Sequence, residues 1–178
     1  MKNKFIPAIR LTFVCLVFFC GIYTLIVVGI SKFVPESRSF SKSKAGYYEN
    51  VGQRFTSDKY FYSRPSAVDY NAAGSGGSNK GPSNPDYLAE LQARIDTFLV
   101  HNPEVKKEEI PSDLITASGS GIDPNISVQA AKVQVKRIAK IRNLSENTIH
   151  QLIEQQTEKP LLSLLGTEKI NVLKLNMA

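Results

Sequence analysis

Hydrophobic positions fall into two regimes along the chain. From Leu11 to Ser31 the sequence LTFVCLVFFCGIYTLIVVGIS runs without a single charge. Coiled as a helix it is roughly 31 Å long, enough to cross a hydrocarbon core of about 30 Å. A cleaved signal peptide has a shorter apolar stretch, of about 7–15 residues. The length therefore predicts an uncleaved anchor. Beyond residue 31 the apolar residues recur with the periods of water-soluble elements. Together the two regimes predict a single N-terminal transmembrane helix followed by a small α+β soluble domain. The divisions are a short cytoplasmic tail over residues 1–10, the span over 11–31, a juxtamembrane connector over 32–50 and the domain over 51–178.

Within the domain, Val51 to Ser63 alternates loosely and carries Phe55, Tyr60, Phe61 and Tyr62, which predicts a short strand or extended segment. Arg64 to Pro85 is poor in aliphatic residues and rich in Gly, Ser, Asn and Pro. It reads as a structured, turn-rich loop, because Asn side chains bond their own backbone. Leu88, Leu91, Ile95, Phe98 and Leu99 recur at helical spacing and predict a helix over 86–101, capped by Asn84 or Asp86 and ended by Asn102-Pro103. Residues 111–117 look extended, and 118–124 form a second turn-rich loop. Ser127 caps a helix to about Arg142, with Val128, Ala131, Val135, Ile138 and Ala139 inward and Asn143 as its stop. Ser145 caps the next helix, which buries Ile149, Leu152 and Ile153. Residues 160–166 turn the chain, and Ile170 to Leu175 alternates as a terminal strand.

The net charge of +6 changes this picture little. Lys2, Lys4, Arg10 and Lys32 stand without an acid in the first 34 residues, so most of the excess belongs to the membrane end. The remainder is nearly neutral, a poor start for nucleic-acid binding. Both flanks of the span are basic. A short basic tail stays inside while a long downstream domain crosses regardless of charge, which predicts a single-pass protein with a cytoplasmic N-terminus and an extracytoplasmic domain. Cys15 and Cys20, the chain's two cysteines, lie in the span, so the domain has no disulfide and no thiolate for catalysis or metal binding. Gly21, Thr24 and Gly29 lie on a broadly common face of the span, where small residues admit another helix.

Catalytic signatures are missing. His101 and His150 each stand alone in their segments, without partners at metal spacing. Gly74, Gly76 and Gly77 do not match a phosphate-cradling spacing. Neither a nucleophile elbow nor a Walker motif occurs. Residues 127–158 read as helix, turn, helix with Lys132, Lys136, Arg137, Lys140 and Arg142 in the first helix. That leaves one alternative of another class: a membrane-anchored helix-turn-helix DNA-binding protein with its domain in the cytoplasm. Against it, the basic residues cluster in the first helix rather than the recognition helix.

Several strings of unusual composition stand in one order: residues 60–67 (YFYSRPSA), 70–79 (YNAAGSGGSN), 81–85 (GPSNP), 116–124 (TASGSGIDP) and 171–176 (NVLKLN). With the N-terminal span they closely resemble the KdpC family, a component of the bacterial potassium-transporting Kdp ATPase, from about residue 5 onward. Family members often have Trp where Tyr62 stands, His at Asn125, and Pro at Val128 and Lys136. The resemblance implies an accessory subunit of a high-affinity, ATP-driven potassium uptake complex in the bacterial plasma membrane. Its partners would be the channel-like potassium subunit, the P-type ATPase subunit, a further small subunit of the same complex and membrane lipids, with no nucleic acid. It would have no catalytic residues and no tightly bound cofactor, meeting ATP and potassium only through the complex. The family suggests two roles, a catalytic chaperone for ATP binding by the ATPase subunit and a cap over the potassium entrance of the channel-like subunit. Candidate partner or nucleotide contacts are Arg64, Asn71, Asn79, Ser118, Gly119, Ser120, Gly121, Asp123, Gln134 and Arg137. Gly21, Thr24 and Gly29 are the candidate packing face in the membrane.

Overall fold

The computed structural model describes residues 4–33, 46–160 and 166–178. Most of the predicted connector, and all but the ends of the turn at 160–166, lie outside the described residues. The chain divides into two compact units, one ending at Ser41 and the other beginning at Lys42.

In the first unit one helix runs from Phe5 to Ser31. It starts earlier than the uncharged stretch because Phe5 to Ile9 is apolar as well, and Pro7 sits in the first turn, where no ladder bond is lost. The helix is α-helical over Phe5–Leu16 (α1) and Thr24–Ser31 (α2). Between them, Val17–Tyr23 is wound as a π-helix, which nothing in the sequence announces. The Thr24 hydroxyl donates to the Phe19 carbonyl 3.0 Å away, five residues back, in keeping with that wider winding. A Cβ added at Gly21 or Gly29 meets nothing within 4 Å.

The second unit is a small helical domain around a three-stranded antiparallel sheet. Helix α3 spans Pro85–His101; the Asn84 side chain accepts from the Tyr87 N–H, and Pro85 occupies the first position, where its missing donor costs nothing. Only Phe98 of its apolar face is fully buried, and Leu88 is exposed. Helix α4 spans Val128–Lys132, α5 Val135–Arg142, α6 Glu146–Gln156 and α7 Val172–Met177. Ser127 and Ser145 cap α4 and α6 as expected, and Asn143 ends α5 at φ 55 in the left-handed region. Strand β3 (Lys169–Asn171) lies between β1 (Asn125–Ile126) and β2 (Thr157–Glu158), pairing Ile170 with Ile126 and Thr157. Ile126, Ile138, Ile149, Ile153, Ile170 and Leu175 join Phe61 in one buried core.

Four expectations are corrected. The 128–142 helix is broken at Val133–Gln134. The Gln134 side chain donates to the Ala130 carbonyl, and its backbone N–H turns to Ala131 instead. The terminal strand stops after Asn171, whose side chain accepts from the Lys174 N–H and starts α7. Residues 111–117 hold a 3₁₀ turn (Ser112–Leu114) rather than a strand. That turn is fixed where the Asp113 carboxylate accepts from the Ser127 N–H and hydroxyl. Finally, of the two readings for Val51 to Ser63 the strand is not formed: the segment belongs to no strand and is interrupted by a turn at 57–60, where the Tyr60 N–H bonds the Ser57 carbonyl. Its backbone finds side-chain partners instead. The Phe61 N–H and C=O both bond the Asn176 amide, at 2.7 and 3.0 Å, and the Tyr62 N–H donates to Gln134 Oε1 at 2.8 Å.

Candidate functional site

Two clusters gather the sequence's candidate residues. In the first, the turn-rich loops 64–85 and 118–124 are fastened to one another. The Ser118 N–H donates to the Pro65 carbonyl at 3.1 Å, and the Gly76 N–H and Ser75 hydroxyl both reach the Ser120 carbonyl at 2.9 Å. The Ser66 hydroxyl donates to the Gly121 carbonyl. At the base of the pair, Arg64 meets the Asp123 carboxylate at 2.9 Å, and the same carboxylate accepts from the Asn125 N–H at 3.0 Å. Asn71 starts a 3₁₀ turn (Ala72–Gly74) by accepting from the Ala73 N–H. Asn79 is exposed and left-handed, at φ 53. The approach is closest at Gly121, with φ +70: an added Cβ would lie 2.5 Å from Val68 Cγ2 and 2.8 Å from the Gly76 carbonyl. Gly119 has open space around it, so of the two glycines only Gly121 is required by the geometry.

One turn in this cluster is unusual. The Asn71 N–H closes onto the Val68 carbonyl at 3.0 Å, and the intervening Asp69 and Tyr70 both have positive φ, at 55 and 58. Such turns normally take Asn-Gly. Here Tyr70 is held by its hydroxyl on the Arg64 carbonyl at 2.6 Å and by its N–H on the Ser66 hydroxyl at 2.8 Å. Arg54 completes the turn, pairing with Asp69 and lying over the Tyr70 ring.

Gln134 and Arg137 belong to a second cluster. Arg137 is 7% exposed and reaches four acceptors: Asn102 Oδ1 at 2.9 Å, Gln134 Oε1 at 2.8 Å, and the carbonyls of Tyr60, at 3.0 Å, and Asp58. Its guanidinium also lies 4.1 Å from the centre of the Tyr62 ring. Burial lowers the affinity of Arg137 for its proton, but a guanidinium keeps its charge in a protein, and this cation is balanced by dipoles, a π face and the nearby Asp58 carboxylate. The Tyr62 hydroxyl donates to the Asp58 carboxylate, which also meets His101 Nδ1 at 2.9 Å. Sequence reasoning found Gln134 and Arg137 but missed Asp58, Asn102 and Tyr62. Asn102 carries no local signal beyond ending a helix, and Asp58 stands in a stretch read as strand.

Burial and hydrogen bonding shift two groups of this cluster. Burial and then the bond to Asp58 push the Tyr62 hydroxyl from 10.0 up to about 12. The Tyr62 hydrogen bond, and after it His101, hold the Asp58 carboxyl below its usual 3.8. A raised folded value gives stability that is present below pH 10.0 and lost as pH rises through about 12. The depressed Asp58 value gives stability present above pH 3.8 and lost as pH falls through the folded value. The thermal midpoint of the wild-type chain should therefore drop more between pH 10 and pH 12 than that of Tyr62→Phe. Parallel curves for the two proteins would dismiss Tyr62 as the alkaline group.

These features define a class: a chain with, among the described residues, one apolar helix long enough to cross a membrane and a small α+β domain whose polar side chains fasten its own loops. The family described as "KdpC: K+-transporting ATPase, c chain" matches residues 5–178. A protein of Flavobacterium psychrophilum named "Potassium-transporting ATPase KdpC subunit" is 53% identical, with all of this chain and 97% of that one aligned. Proteins of the same name from Bacteroides thetaiotaomicron and Bacillus cereus are 50% and 44% identical, over 100% and 96% of this chain and 97% and 92% of theirs. The chain belongs to the KdpC family.

Proposed function

We propose that the chain is an accessory subunit of a potassium-transporting ATPase and acts by binding, with its loop pair capping the potassium entrance of the channel-like subunit. The observation that carries this reading is the mutual fastening of loops 64–85 and 118–124, which makes a turn-rich surface of defined shape. Preorganised loops meet a partner at little ordering cost. The family's other suggested role, a chaperone for ATP binding by the ATPase subunit, receives less support. Gln134 is 0% exposed, and Arg137 is engaged by four acceptors inside the domain. A nucleotide contacting them would have to displace the domain's own bonds. In this reading ATP and potassium are handled by the partner subunits. The apolar helix crosses the membrane with its N-terminus inside and holds this chain to the rest of the complex, through the face of Gly21, Thr24 and Gly29.

A photo-crosslinking residue at Asn79 or Ser120, both exposed, tests the reading. In the assembled complex it should join this chain to the channel-like subunit. A cysteine at Ser57, in a background lacking Cys15 and Cys20, should also react with a membrane-impermeant thiol reagent in intact cells. Crosslinks to the ATP-binding part of the ATPase subunit, with thiol labelling only after lysis, would reverse both the orientation and the role.

A further inference from the structure

An open groove of the domain, about 790 Å³, shares Arg54 and Tyr70 with the first cluster and the Tyr60 backbone with the second, and is otherwise lined by residues that neither cluster uses. Tyr47, Tyr48, Phe55, Tyr60, Tyr70 and Met177 line it. Tyr47, Tyr48, Tyr60 and Met177 are 55%, 41%, 40% and 44% exposed. Among the described residues no acidic side chain lines the groove, and Arg54 is its one charged side chain. Rings with an apolar body and a polar tip, without carboxylates among them, suit a boundary that is apolar on one side and wet on the other. The groove is also built deliberately. Asn176 and Gln134 grip the backbone of Phe61 and Tyr62, which fixes the turn bearing Tyr60. The strained Asp69-Tyr70 turn delivers the Tyr70 ring to the same wall.

Chain length says what meets this groove. The lining begins at Gly46, and the apolar helix ends at Ser31. The 14 intervening residues can bridge at most about 50 Å however they are arranged, which tethers the domain to the bilayer that the helix would cross. The tether itself carries Lys32, Arg38, Lys42 and Lys44 against Glu36, a basic excess that is drawn to anionic headgroups. A domain tethered to a bilayer experiences it at high effective concentration, so weak aromatic contacts suffice to occupy it. We infer that the aromatic groove is a membrane-interface contact, with its tyrosines seated at the headgroup level of an anionic bilayer. Either orientation of the span allows this contact, which meets the loop pair of the capping role only at Tyr70.

The chain has no tryptophan, so a single introduced one reports its own surroundings. Tyr47→Trp and, separately, Tyr48→Trp or Tyr60→Trp are made in the full chain. Each is reconstituted in phosphatidylethanolamine/phosphatidylglycerol vesicles with and without brominated acyl chains. Leu144→Trp, at a residue 44% exposed and outside the groove, is the control for proximity through the tether alone. Groove tryptophans should be quenched by the brominated lipid at least about threefold more than the control, because aromatic side chains settle at the headgroup boundary. Tyr47 is more than half exposed, so its replacement removes little buried contact, and the other two positions serve as independent probes. Quenching no stronger than the control at all three overturns the inference. So does protection of the groove tryptophans from acrylamide that arises only when the other subunits are added, since the occupant is then a protein.

Discussion

Replacing Arg137 by alanine is expected to lower the unfolding free energy of the chain by about 3–4 kcal/mol. The guanidinium ties the C-terminal end of α3, through Asn102, to α5, through Gln134, and to the carbonyls of Asp58 and Tyr60. Alanine removes every donor at once. Asn102 Oδ1, in a residue 2% exposed, then loses its donor, an orphan that costs about 1–3 kcal/mol, and Gln134 Oε1 keeps only the Tyr62 N–H. Lysine is no substitute for the planar fork, because one ammonium cannot serve four acceptors spread around it. Arg137→Lys should therefore recover well under half of the loss. Denaturant titration of the full chain in detergent gives the comparison, and a loss below about 1 kcal/mol would show that the acceptors find other donors.

The second large effect is expected at Gly121, and its neighbour supplies the contrast. In Gly121→Val a branched side chain would have to adopt φ +70 and share space with Val68 and the Gly76 carbonyl. The strain and overlap together are worth roughly 3 kcal/mol, enough to part the two loops. Potassium-stimulated ATP hydrolysis by the purified complex should then fall by about tenfold or more, because the docking shape is lost. Gly119→Val, with open space and no left-handed backbone, should stay within about 0.5 kcal/mol of wild type in stability. Both variants are measured for hydrolysis and for thermal midpoint. Equal hydrolysis in the two would remove loop geometry from the function.

The contrast between these glycines also shows what a sequence discloses. Gly119 and Gly121 stand in the same Ser-Gly-Ser-Gly string, and only Val68 and Gly76, some 45–53 positions earlier in the chain, distinguish them. Signals confined to one turn of chain were legible: the caps Asn84, Ser127 and Ser145 and the stop at Asn143 use donors or dihedrals within a few residues. The uncharged span was legible because length alone argues for it. What failed depended on distant partners or on side-chain amides that local pattern does not mark. The aromatic run 51–63 has the composition of a strand, but its neighbours are amides 72 and 115 residues away rather than another strand. The break in the basic helix comes from one inward-turning amide, Gln134, without a proline or glycine to mark it. Asn171 was a usable helix cap that the alternation of the following residues hid. Among the candidate contacts, Arg64, Ser118, Ser120, Gly121 and Asp123 come together in the paired loops. Gln134 and Arg137 lie in a cluster of their own with Asp58, Asn102 and Tyr62, whose relation to them no spacing could reveal.

The amide clasp between Phe61 and Asn176 sets an order of events during synthesis. Phe61, 1% exposed in the finished domain, obtains its backbone partner only from a residue made 115 positions later. At a ribosome adding roughly 5–20 residues per second, that delay lasts several seconds, far longer than helix formation. The nascent domain must therefore wait in an open state, its local helices formed and its aromatic segment undocked, until α7 arrives. Closing so long a loop late makes maturation slow.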